Sequence, residues 1–249
     1  MKNKTLLLFT LLLMSAASVQ SQVLMSLIFG DKLNSDKIEF GLEGGFNFSN
    51  IEELDSSKRL SNFNLGFYFD IQLKDNWRIY TGVLVKSKLG NDKLTMEDLH
   101  RLEIPIEEEE GTYTQKLNYF LVPAMIKYKF DNRLYLETGP QFGLRSKAFV
   151  DFYAEVDGQE IEIRNINTDQ TNPIEAGWLI GTGYHFSPGK GISVGVKYHY
   201  GFTNVYKNIS GSTNNSLFLK MNIPIGAGKA KKRQEEKEAE AAAKNNPEN

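Results

Sequence analysis

The chain has 249 residues, no cysteine, 24% charged and 12% aromatic residues, and a formal charge of −2. Without cysteine the fold must be held by its size and hydrogen bonding whatever its redox compartment, and a charge near zero gives nucleic acid no electrostatic footprint. A mean hydropathy of −0.38 reads as water-soluble, although alternating strands hide an apolar face from any windowed average.

The chain opens MKNKTLLLFTLLLMSAASVQSQ. Lys2 and Lys4 form a positive n-region, Leu6 to Met14 an apolar core broken only by Thr10, and Val19 and Ser21 stand at −3 and −1 of a cut before Gln22. This is the layout of a secretory signal peptide over residues 1–21, too short to span a bilayer. Its removal takes two lysines and brings the formal charge to −4. In the next segment, residues 22–36, Val23, Leu24, Leu27 and Ile28 would share one face of a short helix stopped at Gly30.

Period-two alternation then begins. KIEFGLEGGFNFSN (37–50) sets Ile38, Phe40, Leu42, Phe46 and Phe48 against Glu39, Gly41, Glu43, Gly45 and Asn47. FNLGFYFDIQL (63–73) sets Phe63, Leu65, Phe67, Phe69 and Ile71 against Asn64, Gly66, Tyr68 and Asp70. After a KDN turn, WRIYTGVLVKS (77–87) sets Trp77, Ile79, Val83 and Val85 against Arg78, Tyr80, Gly82 and Lys86. LNYFLVPAMIKYKF (117–130) gathers Phe120, Val122, Ala124, Ile126, Tyr128 and Phe130. Past a DNR turn, LYLETGPQFGLRS (134–146) opposes Leu134, Leu136, Phe142 and Leu144 to Glu137, Gly139, Gln141, Gly143 and Arg145. IEAGWLIGTGYHF (174–186) and ISVGVKYHYGF (192–202) flank SPGKG, with Glu175, His185, Lys197 and His199 on their polar sides. SLFLKMNIPI (216–225) is the eighth such stretch.

Links after the second, fourth and sixth stretches are tight, whereas those at about 49–61, 88–115, 146–172 and 204–214 are long and polar. Tight turns at one end, long loops at the other and strands of about 10–13 residues predict an all-β fold, an eight-stranded antiparallel up-and-down transmembrane β-barrel over 37–226. The short helix expected within 22–36 would then tuck against the periplasmic mouth of this barrel. Eight strands enclose a space that side chains just fill. The glycines of the polar sides then make room, and the charges there must pair. The expected lumen charge cluster is Glu39, Glu43, Asp70, Arg78, Lys86, Glu137, Arg145, Glu175 and Lys197, which reads as an ionic plug rather than a conducting pore. Trp77, Tyr128, Phe130, Tyr184 and Phe186 would form an aromatic girdle on the short-turn side, and Phe48, Phe63 and Phe202 another on the loop side.

FGLEGGFNFSN, LNYFLVPAMIKYKF, LYLETGPQFGL and GWLIGTGYHF resemble the outer-membrane β-barrels of Bacteroidetes called the porin family, or PorT-like barrels. With their neighbours these stretches cover about residues 37–225. The resemblance implies an eight-stranded outer-membrane barrel but no activity, and it carries no catalytic residues. The chain departs from that pattern in its long start and in a last strand that stops at Ile225 rather than at an aromatic. The charged tail, 227–249, would set Lys229, Lys231, Lys232 and Arg233 at the inner-leaflet headgroups. Its Ala/Glu/Lys-rich remainder would lie in the periplasm.

Three histidines offer little to catalysis. His185 and His199 share the polar faces at different heights, and His100 falls in the second long loop. The consecutive Glu107, Glu108, Glu109 and Glu110 diverge at strand spacing and read as a solvated loop rather than a calcium site. The expectation is a non-enzymatic, monomeric outer-membrane barrel, without cofactor or metal, surrounded by outer-membrane lipid. It would act through its loops or its tail, in envelope integrity, adhesion or docking of a surface or periplasmic protein partner. One alternative is a secreted, soluble, lipocalin-like barrel around a small hydrophobic ligand. Another is a lipid-modifying barrel enzyme or a narrow channel.

Overall fold

The computed structural model describes residues 33–56 and 58–226. The expected signal peptide, the helix expected at 23–30 and the tail with Lys229, Lys231, Lys232 and Arg233 lie outside those residues. Nine strands run in chain order: β1 (Ile38–Ile51), β2 (Lys58–Lys74), β3 (Trp77–Asp92), β4 (Gly111–Lys129), β5 (Leu134–Val156), β6 (Gln159–Ile166), β7 (Ile174–His185), β8 (Ser193–Asn204) and β9 (Thr213–Pro224). Among the described residues a short α-helix, α1 (Met96–Arg101), lies between β3 and β4, and a single 3₁₀ turn, Thr168–Gln170, precedes β7.

Eight of the strands form a closed antiparallel ring, each paired with its neighbours, and β1–β9 and β4–β5 contacts complete the circle. The β1–β9 seam runs from Gly41 opposite Pro224 to Ile51 opposite Asn214. Asn34 fastens its lower end, donating to the Ile225 carbonyl at 2.6 Å and accepting from the Phe40 N–H at 3.0 Å. Closure pairs every wall strand on both sides, so the ring has no edge.

The alternation resolves into an apolar outside and a polar inside. Phe46, Leu136, Phe142, Leu144, Ile174, Ile180 and Phe202 all stand exposed on the outer wall. Glu43, Asp70, Glu137, Lys197 and His199 are buried within. This is the inverse of the packing that a lipocalin-like barrel needs, in which the apolar faces meet around the ligand. Aromatic pairs mark the rims: Trp77 with Tyr128 and Tyr128 with Phe130 at the short-turn end, both at 4.9 Å between ring centroids, and Tyr200 with Phe202 toward the loops.

The long links are more structured than their sequence suggests. Residues 146–172, expected as a loop, are largely strand. β5 runs on to Val156, turns at Asp157 and Gly158 with φ of 52° and 76°, and returns as β6, paired from Val156 opposite Gln159 to Phe149 opposite Ile166. Two successive positive φ values suit an Asp-Gly hairpin turn. β5 therefore pairs with β4 along its whole length, but exchanges β7 for β6 as its other neighbour between Leu144 and Phe149.

In the 88–115 link, β3 and β4 extend toward each other and α1 bridges them. Thr95 Oγ1 accepts from the Asp98 N–H at 3.2 Å while Asp98 Oδ2 accepts from the Thr95 N–H at 2.9 Å. This reciprocal capping box starts the helix. Leu99, Leu102 and Ile104 are then carried onto Leu89, Leu117, Tyr119, Val150, Phe152 and Phe218, closing the loop end with an apolar core.

Candidate functional site

The barrel interior is stacked in levels, and the pleat explains which side chains enter it. Inward positions of each strand alternate with the lipid-type residues of the outer wall, so each strand contributes a polar group at every second residue. Nearest the short turns, Asp70 receives Lys127 Nζ at 2.7 Å and is bonded to Arg78 Nε as well. Beside it Tyr68 donates its hydroxyl to Glu39 at 2.7 Å. At mid-height Lys197 Nζ sits 2.6 Å from Glu43, which also accepts from the Tyr80 hydroxyl. Across the lumen Lys220 Nζ lies 2.5 Å from Glu137. Higher still, Glu175 pairs with His199 Nε2, and Gln141 Nε2 lies 3.3 Å from His199 Nδ1.

Aromatic rings weld these levels together. Tyr68 and Tyr80 stack with centroids 5.7 Å apart. Lys220 lies 4.0 Å above the Tyr80 ring and Lys127 lies 4.0 Å above the Tyr135 ring. Each buried ammonium therefore has a carboxylate and a π face, which offset part of the cost of removing it from water.

Of the nine charges expected inside, Glu39, Glu43, Asp70, Glu137, Glu175 and Lys197 are buried there, and Arg78 is half-buried against Asp70. Lys86 is a correction. A register shift in the β3–β4 pairing between Leu84 and Ser87 turns Ser87 inward, where it bonds Asn64. Lys86 is left exposed on the outer wall, its Nζ 5.9 Å from the Phe63 ring centroid. Arg145 corrects the expectation too, for it meets no carboxylate. Half-buried where β5 changes neighbours, it donates to the Asn172 and Thr171 carbonyls, each at 3.2 Å.

Sequence reading missed Lys127 and Lys220 as lumen cations. The signal was present, because the apolar residues assigned outward in their strands leave both on the other face. Tyr135, which lies under two ammonium groups, was missed for the same reason.

Below the ion pairs, the short-turn end opens into a polar cleft of about 380 Å³ lined by Glu39, Asp70, Arg78, Lys129, His185 and Lys190 among others. His185 is buried at its inner wall, its ring centroid 5.3 Å from that of Tyr135. His185 and His199 do not meet. The Glu175–His199 pair is wholly enclosed, and its remaining ring nitrogen faces Gln141, so a nucleophile finds neither a free base nor a path for substrate. His100 is exposed on α1. Among the described residues no group of His, Asp or Glu side chains is arranged to hold a metal ion, and Glu108, Glu109 and Glu110 point into solvent.

The family model described as "Outer membrane protein beta-barrel domain" matches residues 20–207. No curated protein sequence matches the chain. Among solved structures, the attachment invasion locus protein Ail of Yersinia pestis is similar at 13% identity and a TM-score of 0.41, covering 76% of this chain and 99% of that one. Neisserial surface protein A is similar at 11% identity and a TM-score of 0.36, over 76% of this chain and 96% of the other. OprG of Pseudomonas aeruginosa follows at 12% and 0.33, over 77% and 96%.

Proposed function

The chain belongs to the outer membrane protein β-barrel domain family, and from that premise we propose that it is a sealed, non-enzymatic barrel that works by presenting its loop end. The observation that carries this reading is the double closure of the lumen. A layer of buried ion pairs fills its middle, and the apolar core beneath α1 closes its top. A solute would have to break both.

In this reading residues 1–21 direct export, 22–36 precede the wall, and the short turns and the 227–249 tail face the periplasm. The β5–β6 hairpin and α1 stand at the cell surface as a folded platform for adhesion or for docking a protein partner. The resemblance of the wall strands to the Bacteroidetes porin-family barrels supports placing the chain in that branch. The full enclosure of His199, the one histidine with an acid partner, supports a role without catalysis.

Planar-bilayer recording of the full-length protein is the direct test. A sealed barrel adds no discrete conductance steps above the bare membrane. Reproducible steps from the unaltered protein would overturn the reading in favour of a narrow channel.

A further inference from the structure

Above the outer apolar wall, on the β2–β5 side, the exposed side chains change abruptly from aromatic and aliphatic to basic. Phe120 and Leu144 oppose each other on β4 and β5 as the upper apolar row, 44% and 56% exposed. The next outward row reads Lys88, Asn118 and Lys147 across β3, β4 and β5. Lys86 leans over the Phe63 ring beside it. A cleft of about 560 Å³ opens at this height, lined by Lys58, Arg59, Lys88, Lys116, Asp92 and Tyr153 among others.

The carboxylates here are already engaged. Asp92 holds Lys58 at 3.4 Å, and Asp151 holds both Lys116 at 2.9 Å and Arg164 at 2.6 Å. Among the described residues, Arg59, Lys86, Lys88 and Lys147 form no ion pair. Lys88 and Lys147 stand one row above outward-facing Phe120 and Leu144. Arg59, opposite Asn91 and so three residues beyond Lys88, lines the same cleft as Lys88. Uncompensated cations bordering an apolar wall in this way suit lipid phosphates. Long lysine stems reach such groups along the apolar surface below them.

We propose that this cleft binds the phosphate of an anionic lipid headgroup in the loop-side leaflet, with Lys88 and Arg59 as the principal cations. The acyl chains of that lipid run down the apolar wall past Phe120, Leu144 and Phe63. Thr112, Ser61 and Asn62 at the rim add neutral hydrogen-bonding groups for the phosphate oxygens. The site needs no opening of the lumen and so stands apart from the sealed-barrel reading.

The test uses the full chain in nanodiscs of phosphatidylcholine alone and of phosphatidylcholine mixed with phosphatidylglycerol. Lipid retained after mild detergent extraction is counted by native mass spectrometry. The wild type should retain phosphatidylglycerol in preference to phosphatidylcholine. Because each cation near an anionic surface contributes about fivefold to binding, Arg59→Gln with Lys88→Gln should lower retention about 25-fold, while Lys74→Gln at the opposite end leaves it unchanged. Acetylation of Lys88 in the wild-type protein gives a second readout that needs no variant: it should slow in phosphatidylglycerol discs and not in phosphatidylcholine discs. Unchanged retention in the double variant, or equal acetylation in the two discs, overturns the proposal. Protection of Lys88 by inorganic phosphate alone, at the level seen with phosphatidylglycerol, would make the ligand a free anion and overturn it as well.

Discussion

Lys197 and Glu43 meet at 2.6 Å with both side chains withdrawn from solvent, which makes the pair asymmetric under mutation. Removing one partner strands a charge in a medium that cannot solvate it, whereas removing both leaves only a change in packing. Lys197→Met should therefore destabilise the barrel by about 3–5 kcal/mol, and Glu43→Gln combined with Lys197→Met should recover most of that loss. The midpoint of urea unfolding in detergent, read as loss of the fast-migrating unboiled band, checks this. A loss well below that range in Lys197→Met alone would mean that Glu43 draws its compensation from Tyr80 and other neighbours instead.

Neighbouring glycines of β1 supply a sharper contrast. A Cβ on Gly45 would come within 1.9 Å of the Leu219 carbonyl oxygen, so the backbones of β1 and β9 could not keep their spacing. A Cβ on Gly44, which faces outward, would meet nothing closer than 4.0 Å. Gly44→Ala should fold as the wild type does, and Gly45→Ala should fail to give the heat-modifiable form. At this scale the sequence was legible wherever period two ran undisturbed, as it does from Glu39 to Asn47. It misled at Lys86, because the irregularity between Leu84 and Ser87 leaves no mark in residue type.

Among the elements, the β5–β6 hairpin depends on charges in a way the wall does not. Burial opposes ionisation of Asp151, but hydrogen bonds from Arg164 and Lys116, together with their charges, outweigh it and hold the carboxyl below its ordinary range. An unfolded aspartate titrates near about 3.9. A group depressed on folding contributes stability that is present above that value and lost as pH falls through the lower folded one. The hairpin should therefore loosen below about pH 4 while the barrel stays closed. Amide resonances of residues 149–166 in micelles would report this, and Arg164→Gln should move the change to higher pH. Resonances that stay fixed through acid titration would show that Phe149 and the backbone ladder hold the hairpin unaided.

Both unforeseen elements had local signatures. Asp157-Gly158 between alternating residues is a hairpin signal, and Thr95 with Asp98 three residues on is a capping pattern before Leu99 and Leu102. They were obscured because the surrounding stretches are rich in charge, and a polar composition reads as loop when strand and helix are judged by their apolar side. The hairpin face carries Arg164 paired with both Asp151 and Glu162, so it satisfies its polarity internally.

For the molecule as a whole, the two closures act in series. The ion-pair layer and the α1 core lie at different heights and share few residues, so current requires both to open together. Silence in bilayer recording is thus expected even when one closure fluctuates. The ring itself was the most legible feature of all. Eight alternating stretches of bilayer-crossing length with links alternating between short and long admit few other arrangements. Pairing partners were not legible at the loop end, because the exchange of β7 for β6 along β5 rests on Arg145 gripping the Thr171 and Asn172 carbonyls, a contact between residues far apart in sequence.

That exchange gives the molecule a mechanical character. β5 is one unbroken strand of 23 residues, barrel wall at one end and hairpin at the other, laddered to β4 from Lys129 opposite Tyr135 to Gly111 opposite Ala154. If the hairpin docks a partner as proposed, a pull on it would act along that strand. The load falls on many ladder hydrogen bonds at once, in shear, instead of peeling them one at a time from a hinge. A barrel anchored in lipid and built this way resists a tether under tension, as a rope spliced into a wall resists better than one tied to its surface.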